Sequence, residues 1–213
     1  MSVSVRVGPC SSVKGGSVPE EDPLIPKHGG YRRLKTFQLA RLIYDVTFQF
    51  CEKYMEEHDR LKPQMVHAAR SCVQNIAEGS QTSGTSKKSE LKLTGVGRAS
   101  LEELLLDYED FLRQRKLEKW IPSHPALTRF KAKRCATLED VRAWVKEERA
   151  LSVSVGVRPC SSVILVANAA LSLINLCSHL LDKQLAAQSK AFVNEGGFTE
   201  RLYRTRKNTS KRD

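Results

Sequence analysis

The segment KTFQLARLIYDVTFQFCEKYM, residues 35–55, decides the fold. Phe37, Ala40, Tyr44, Phe48, Cys51 and Met55 recur at three- and four-residue steps, and Leu39, Ile43, Val46, Phe50 and Tyr54 form a second such row. That spacing lays apolar side chains along one side of an α-helix, predicted over about 34–58. Two adjacent rows make a wide stripe. The helix is therefore expected to pack inside a bundle and also against something further, which points to an oligomer.

Working outward, Pro63 suits the first turn of a second helix over 63–78, with Met65, Ala69, Cys72 and Ile76 on one face and Gly79 at its end. SQTSGTS (80–86) is a polar loop, and Ser86 is the N-cap of a third helix, 87–116, with Ser89 and Glu90 in its first turn. Leu93, Val96, Ser100, Leu104, Tyr108 and Phe111 share one face of that helix, flanked by Leu101, Leu105 and Leu112. Gly95, Gly97, Ala99 and Ser100 are small enough to let a neighbouring helix come close. IPSHP (121–125) breaks the chain. Thr137-Leu-Glu-Asp140 then starts a short helix, 138–150. A fourth long helix, 164–193, carries Val166, Ala169, Leu173, Leu176, Leu180 and Ala187 and stops at Gly196-Gly197. Along it Asn168, Asn175 and Asp182 follow at heptad spacing; turned inward they would fix helix register, turned outward they are a solvated face. The fold class is all-α: an antiparallel up-down four-helix bundle (31–195) with an irregular leader (1–30) and a basic C-terminal tail (196–213).

The leader is dense in Gly and Pro, and SVSVRVGPCSSV (2–13) recurs as SVSVGVRPCSSV (152–163). The two copies either pair as β-strands, since Val alternates with small or polar residues, or are a translated mobile DNA repeat inserted twice. The six cysteines include no C-x-x-C pair and several fall on apolar helix faces, as free thiols do in a reducing compartment. The most apolar run, Val163 to Leu181, contains Asn168, Ser172, Asn175 and His179, and the N-terminus lacks a signal-peptide pattern. A cytoplasmic location without a membrane span is the expectation.

Catalytic and metal chemistry find little footing. Gly79 and Gly84 precede Thr85-Ser86-Lys87, but the Lys that a phosphate-binding loop needs directly after its second Gly is absent, and a helix precedes where a strand is required. The five histidines show no i, i+4 pairing and no metal-ligand spacing. Glu102, Glu103, Asp107, Glu109 and Asp110 lack Glu-x-x-His companions, leaving a solvated face or a docking surface for basic groups. No enzyme activity, metal or cofactor is expected.

The net charge of +11 is unevenly placed. Residues 27–41 hold five cations and no acid, 113–134 hold eight against Glu118, and 199–213 hold six against Glu200 and Asp213. In an antiparallel bundle the first and third clusters share a pole with the loop bearing Lys87 and Lys88. Arg32, Arg33, Lys35, Lys87, Lys88, Arg201, Arg204, Arg206, Lys207, Lys211 and Arg212 are thus the candidate contacts to a phosphate backbone, with Tyr203 and Phe198 for occasional base stacking. No base-reading motif is present, so RNA or DNA would be bound with low sequence specificity.

Tyr31–Ala40 (YRRLKTFQLA), Ala69–Ser80 (ARSCVQNIAEGS) and Ser100–Phe111 (SLEELLLDYEDF) resemble the bacterial four-helix bundle protein family. That family includes proteins encoded in intervening sequences of large-subunit ribosomal RNA genes and the accessory variability determinant of diversity-generating retroelements. Asn168–Cys177 (NAALSLINLC) and Glu195–Arg204 (EGGFTERLYR) resemble its subgroup with a C-terminal suffix. The resemblance covers about 31–120 and 164–207 and is interrupted by the repeat at 151–163. It implies a homopentameric barrel with a basic surface, which in the retroelement relatives binds nucleic acid and a reverse transcriptase. Its most specific segment holds Gln74, Asn75, Glu78 and Gly79, which either cap the end of the second helix and bond between helices or contact a ligand. The expected function is that of a non-enzymatic, oligomeric nucleic-acid-binding accessory protein; the alternative is a scaffold that docks a nucleic-acid enzyme such as a reverse transcriptase.

Overall fold

Most helices begin where the sequence supplies an acceptor for free backbone N–H groups. The computed structural model describes residues 24–25, 27–154 and 161–210, and among them every regular element is a helix. After a 3-10 turn (Tyr31–Arg33) come α1 (Lys35–Tyr54), α2 (Leu61–Thr82), α3 (Lys87–Gln114), α4 (Pro125–Lys133), α5 (Leu138–Ser154), α6 (Ser162–Glu195) and α7 (Phe198–Thr209). Asp59 accepts from the Leu61 N–H at 3.0 Å, and Ser86 Oγ accepts from the Ser89 N–H at 3.1 Å. At α5 the cap is reciprocal: Asp140 N–H donates to Thr137 Oγ1 at 3.2 Å, while its carboxylate accepts from Ala136 and Thr137 at 3.0 and 2.9 Å. Those backbone donors hold the Asp140 carboxyl below its usual range. Gly196 ends α6 with φ +73°, where a side chain would strain the backbone.

The four long helices meet in the order α1, α2, α3, α6 and back to α1. Gln188 near the end of α6 bonds Glu90 at the start of α3, and Asn168 near the start of α6 bonds the chain just after α3, so these two run antiparallel. Thr36 Oγ1, at the start of α1, donates to Gln184 Oε1 at 2.7 Å, which sets α1 antiparallel to α6 as well. The core between them centres on Phe50, whose ring lies 5.0 Å from Tyr108 and 4.8 Å from Phe111. Tyr108 is fully buried, and its hydroxyl meets Thr47 Oγ1 at 3.1 Å. Both α1 rows are largely buried within the chain, because α5 covers part of α1 in addition to α2 and α6. The surplus apolar surface that pointed to a partner is thus met mostly by the chain itself.

Several sequence expectations change. Two helices, α4 and α7, stand in the cationic stretch 113–134, after the expected chain break, and in the expected basic tail. In α4, Pro125 sits in the first turn, His124 Nδ1 accepts from the Ala126 N–H at 3.3 Å, and Phe130 packs against Trp144 of α5. The second helix does not end at Gly79 but runs to Thr82. The heptad row splits: Asn168 is 1% exposed, whereas Asn175 and Asp182 face outward. The second repeat copy is helical at 152–154 and 162–163, within α5 and α6, with Ser161 just before α6; residues 155–160 and the first copy lie outside the described residues. By length and composition α6 is apolar enough to cross a membrane, beyond what the interrupted run suggested, although just over half of its most apolar window is buried inside the chain.

Small residues act selectively where α2 meets α3. A Cβ added at Gly97 would lie 3.4 Å from the Cys72 carbonyl, while one at Gly95 would meet nothing within 4 Å. Beside Gly97, Ser71 Oγ and Ser100 Oγ are 2.9 Å apart. Gly95→Ala is therefore expected to stabilise the protein by up to about 1 kcal/mol through helix propensity, and Gly97→Leu to destabilise it by about 1–3 kcal/mol through overpacking. Urea denaturation of the two variants checks the opposite signs.

Candidate nucleic-acid interface

One end of the molecule gathers residues that are far apart in sequence. Gly29, held at φ +77° against Gln81, donates its N–H to the Ser80 carbonyl at 3.0 Å and ties the segment before α1 to the end of α2. The Gln188–Glu90 and Thr36–Gln184 bonds bring the end of α6 to the same place, and Arg201 of α7 reaches the Leu24 carbonyl at 3.4 Å. Arg32, Arg33, Lys35, Lys87, Lys88 and the root of α7 therefore share this pole.

Most of these cations keep their charge unpaired. Arg33, Lys35 and Lys88 are exposed and form no ion pair among the described residues. Arg32 lies with its guanidinium 5.3 Å from the Tyr31 ring centre. Lys87 is partnered by Glu90 at 3.1 Å. On α7, Arg204 donates to the Glu195 carbonyl at 3.3 Å, while Arg206 and Lys207 are exposed without an ion pair among the described residues. Tyr203 stands 67% exposed one turn before them. No residue of α7 is buried. Lys211 and Arg212 lie outside the described residues.

The densest cationic stretch in the sequence, 113–134, behaves differently. Arg113 pairs with Asp110 at 2.8 Å, Arg115 with Asp59 at 2.7 Å and Lys119 with Glu109 at 2.6 Å. From α4, Arg129 grips the buried Glu148 of α5 with two bonds of 2.6 Å, and Lys133 meets Glu147 at 2.5 Å. Acids, both neighbouring (Asp110, Glu109) and distant in sequence (Asp59, Glu147, Glu148), thus neutralise most of this cluster.

The Gln74, Asn75, Glu78 and Gly79 motif does not cap a helix end. Asn75 Nδ2 bonds back to the Ser71 carbonyl at 2.9 Å, Gln74 and Glu78 are exposed on α2, and Gly79 lies where a Cβ would be 3.3 Å from the Glu90 carbonyl. Gly79 is thus the residue that seats α2 on α3. Among the carboxylates of α3, Glu102 pairs with Arg98. Asp107 is raised to about 6, chiefly by burial and then by Glu103 and Asp110. An unfolded Asp titrates near 4. The folded protein therefore holds its proton more tightly, and stability is lost as pH rises from about 4 through 6. Asp107→Asn is expected to raise the melting temperature at pH 7.5 more than at pH 4.5, read by thermal melts at both.

The thiols are set for packing. Cys51, Cys72 and Cys177 are buried, and burial pushes Cys51 up to about 12. Cys72 is raised further by its hydrogen bond with Cys177 and then by burial, so Cys51 and Cys72 are not thiolates at neutral pH. Among the described residues no group of His, Cys, Asp and Glu could hold a metal ion.

Sequence reasoning missed a cleft of about 330 Å³ between α1, α5 and the start of α6. Phe50, Tyr54, Val145 and Val166 line it, with Lys53, Arg142, Lys146 and Arg149 at its sides. The signal was present in the i, i+4, i+7 spacing of the three α5 cations. It was hidden because Glu139, Asp140, Glu147 and Glu148 cancel them in any sum along the sequence. A second, larger groove of about 1150 Å³ runs between α3, α4 and α6, with Trp120, Leu127 and Leu171 among its apolar residues and Glu102 and Glu109 set against Lys119, Lys131 and Arg134. No protein-family profile, curated protein or solved structure matches the chain.

Proposed function

We propose that this chain is an antiparallel four-helix bundle of α1, α2, α3 and α6, and that it acts as a non-enzymatic accessory protein binding RNA or DNA with low sequence specificity. The observation that carries this reading is the contrast between two basic regions. Arg32, Arg33, Lys35, Lys88, Arg206 and Lys207 have no ion pair among the described residues, while the richer 113–134 cluster is largely neutralised from within. Unpaired Lys and Arg on one surface are what a phosphate backbone requires, because binding gains from counterion release. Tyr203 beside Arg206 and Lys207 adds a stacking face for an exposed base. The motifs at 31–40, 69–80 and 100–111 support kinship with the bacterial four-helix bundle proteins, and buried free thiols fit the cytoplasm.

An oligomer, a pentamer on that kinship, is supported by Leu106 and Leu176, 55% and 51% exposed on α3 and α6. A fluorescence titration with a short RNA or DNA tests the binding reading: affinity should fall steeply between 50 and 300 mM salt, and salt-independent or absent binding would sink it. The second reading, a scaffold that docks a nucleic-acid enzyme such as a reverse transcriptase, draws on the groove between α3, α4 and α6 with Leu176 at its edge. Recovery of such an enzyme on immobilised protein after nuclease treatment favours it; loss of the enzyme with the nucleic acid favours the first.

A further inference from the structure

We infer that the cleft between α1 and α5 is a binding site for a nucleoside phosphate, separate from the basic pole. It lies along the C-terminal half of α1 and the first turns of α6, whereas the pole is formed by the start of α1 and the end of α6. Its size falls at the lower end of roughly 300–1,000 Å³, the range of small-molecule sites.

The arrangement follows from how α5 divides its charges. Glu147 and Glu148 turn to α4, where Lys133 and Arg129 neutralise them. Arg142, Lys146 and Arg149 line the cleft instead, and Lys53 of α1 adds a fourth cation to its lining. No acid is among the lining residues. Among the described residues the set has one ion pair, Arg142 with Glu139 at 3.6 Å on the exposed rim. Lys146 and Arg149 form no ion pair among the described residues. Four cations around one small cleft exceed what a single carboxylate needs and suit the multiple charges of a phosphate or diphosphate.

The walls supply the rest of such a ligand's chemistry. Phe50, Tyr54, Val145 and Val166 give an apolar slot for a flat ring, and Lys53 Nζ is poised 5.4 Å from the centre of the Tyr54 ring. Gln49, whose Oε1 accepts from Arg142 at 3.1 Å, and Ser162 place hydrogen-bonding groups beside that slot. An aliphatic anion would leave those polar groups unused, while a nucleobase edge would engage them.

The test is calorimetric titration of the full chain with ADP, adenosine, a 5′-phosphorylated trinucleotide and dodecanoate. ADP is expected to bind, with adenosine at least about tenfold weaker for want of the charge-assisted bonds. Arg142→Gln with Arg149→Gln should weaken ADP about tenfold or more with an unchanged melting temperature, since both side chains are exposed. Val145→Trp, which fills the slot, should remove ADP binding. Competition by the trinucleotide would assign the source of the ligand to a strand end, and failure to compete would assign it to a free nucleotide. Absence of ADP binding at millimolar concentration would overturn the site, as would equal affinity for adenosine, indifference to both sets of variants, or dodecanoate binding tighter than ADP.

Discussion

Replacing Arg32, Arg33 and Lys35 together by alanine is expected to weaken the binding of a short duplex by on the order of 100- to 1,000-fold at 0.1 M salt, and to reduce the slope of log affinity against log salt by roughly 2 to 3. Each phosphate contact contributes a slope of about 0.9 on duplex, so the loss between 1 M and 0.1 M salt is close to tenfold per contact. These three are suited to the test because none forms an ion pair among the described residues, and all are exposed on the 3-10 turn and the first turn of α1. Their removal should therefore leave thermal stability within about 1 kcal/mol of the parent. The matched control is Arg113→Ala with Lys119→Ala, in the neutralised cluster, which should change affinity far less. Equal losses from the two sets would overturn the pole as the interface, because they would show that ion pairing does not decide which cations meet the phosphate.

The largest effect on stability is expected at Asn168. Its Oδ1 accepts the Trp120 N–H at 2.8 Å, and its Nδ2 donates to the Glu118 carbonyl at 3.0 Å and the Ile164 carbonyl at 2.9 Å. One buried amide thus satisfies a donor and an acceptor of the segment leaving α3, and anchors that segment on α6. Asn168→Leu fits the volume but leaves the Trp120 N–H and the Glu118 carbonyl without their partner, at about 1–3 kcal/mol each. A total of about 3–5 kcal/mol is expected, a fall in melting temperature of roughly 10 °C for a chain of this size. Asn168→Asp separates bonding from packing. As a carboxylate it keeps the Trp120 bond but opposes two carbonyl oxygens, so it should be destabilised at pH 7 and partly restored at low pH, where a protonated carboxyl donates again. A melting temperature for Asn168→Leu within a degree or two of the parent would show that these bonds add nothing net.

The contrast between Asn168 and its heptad neighbours shows what the sequence could and could not reveal. Asn168, Asn175 and Asp182 look alike in a linear reading, and only the path of residues 115–124 across the start of α6 turns the first inward. The long helices were legible because burying a face at 3.6-residue spacing leaves a local trace, as in Phe37, Ala40, Ile43 and Phe50. Boundaries drifted where local signals mislead: Gly79 reads as a stop, yet it sits inside the last turn of α2, where it lets α3 approach. The nine residues of α4 carry only Ala126, Leu127 and Phe130 as buried apolar groups, too few for a periodicity to stand out among cations. The charge map was least legible of all. Whether Arg129 is available depends on Glu148, nineteen positions away, and no sum over neighbouring residues records that.

The exposed helix α7 sets the scale of any footprint. At 1.5 Å per residue its twelve residues span roughly 18 Å. B-form duplex carries one negative charge per about 1.7 Å of axis, so that span matches on the order of ten charges. A ligand held both by α7 and by the arginines before α1 would therefore need at least about half a turn of duplex, and oligomers of three or four base pairs should occupy the surface without bridging it.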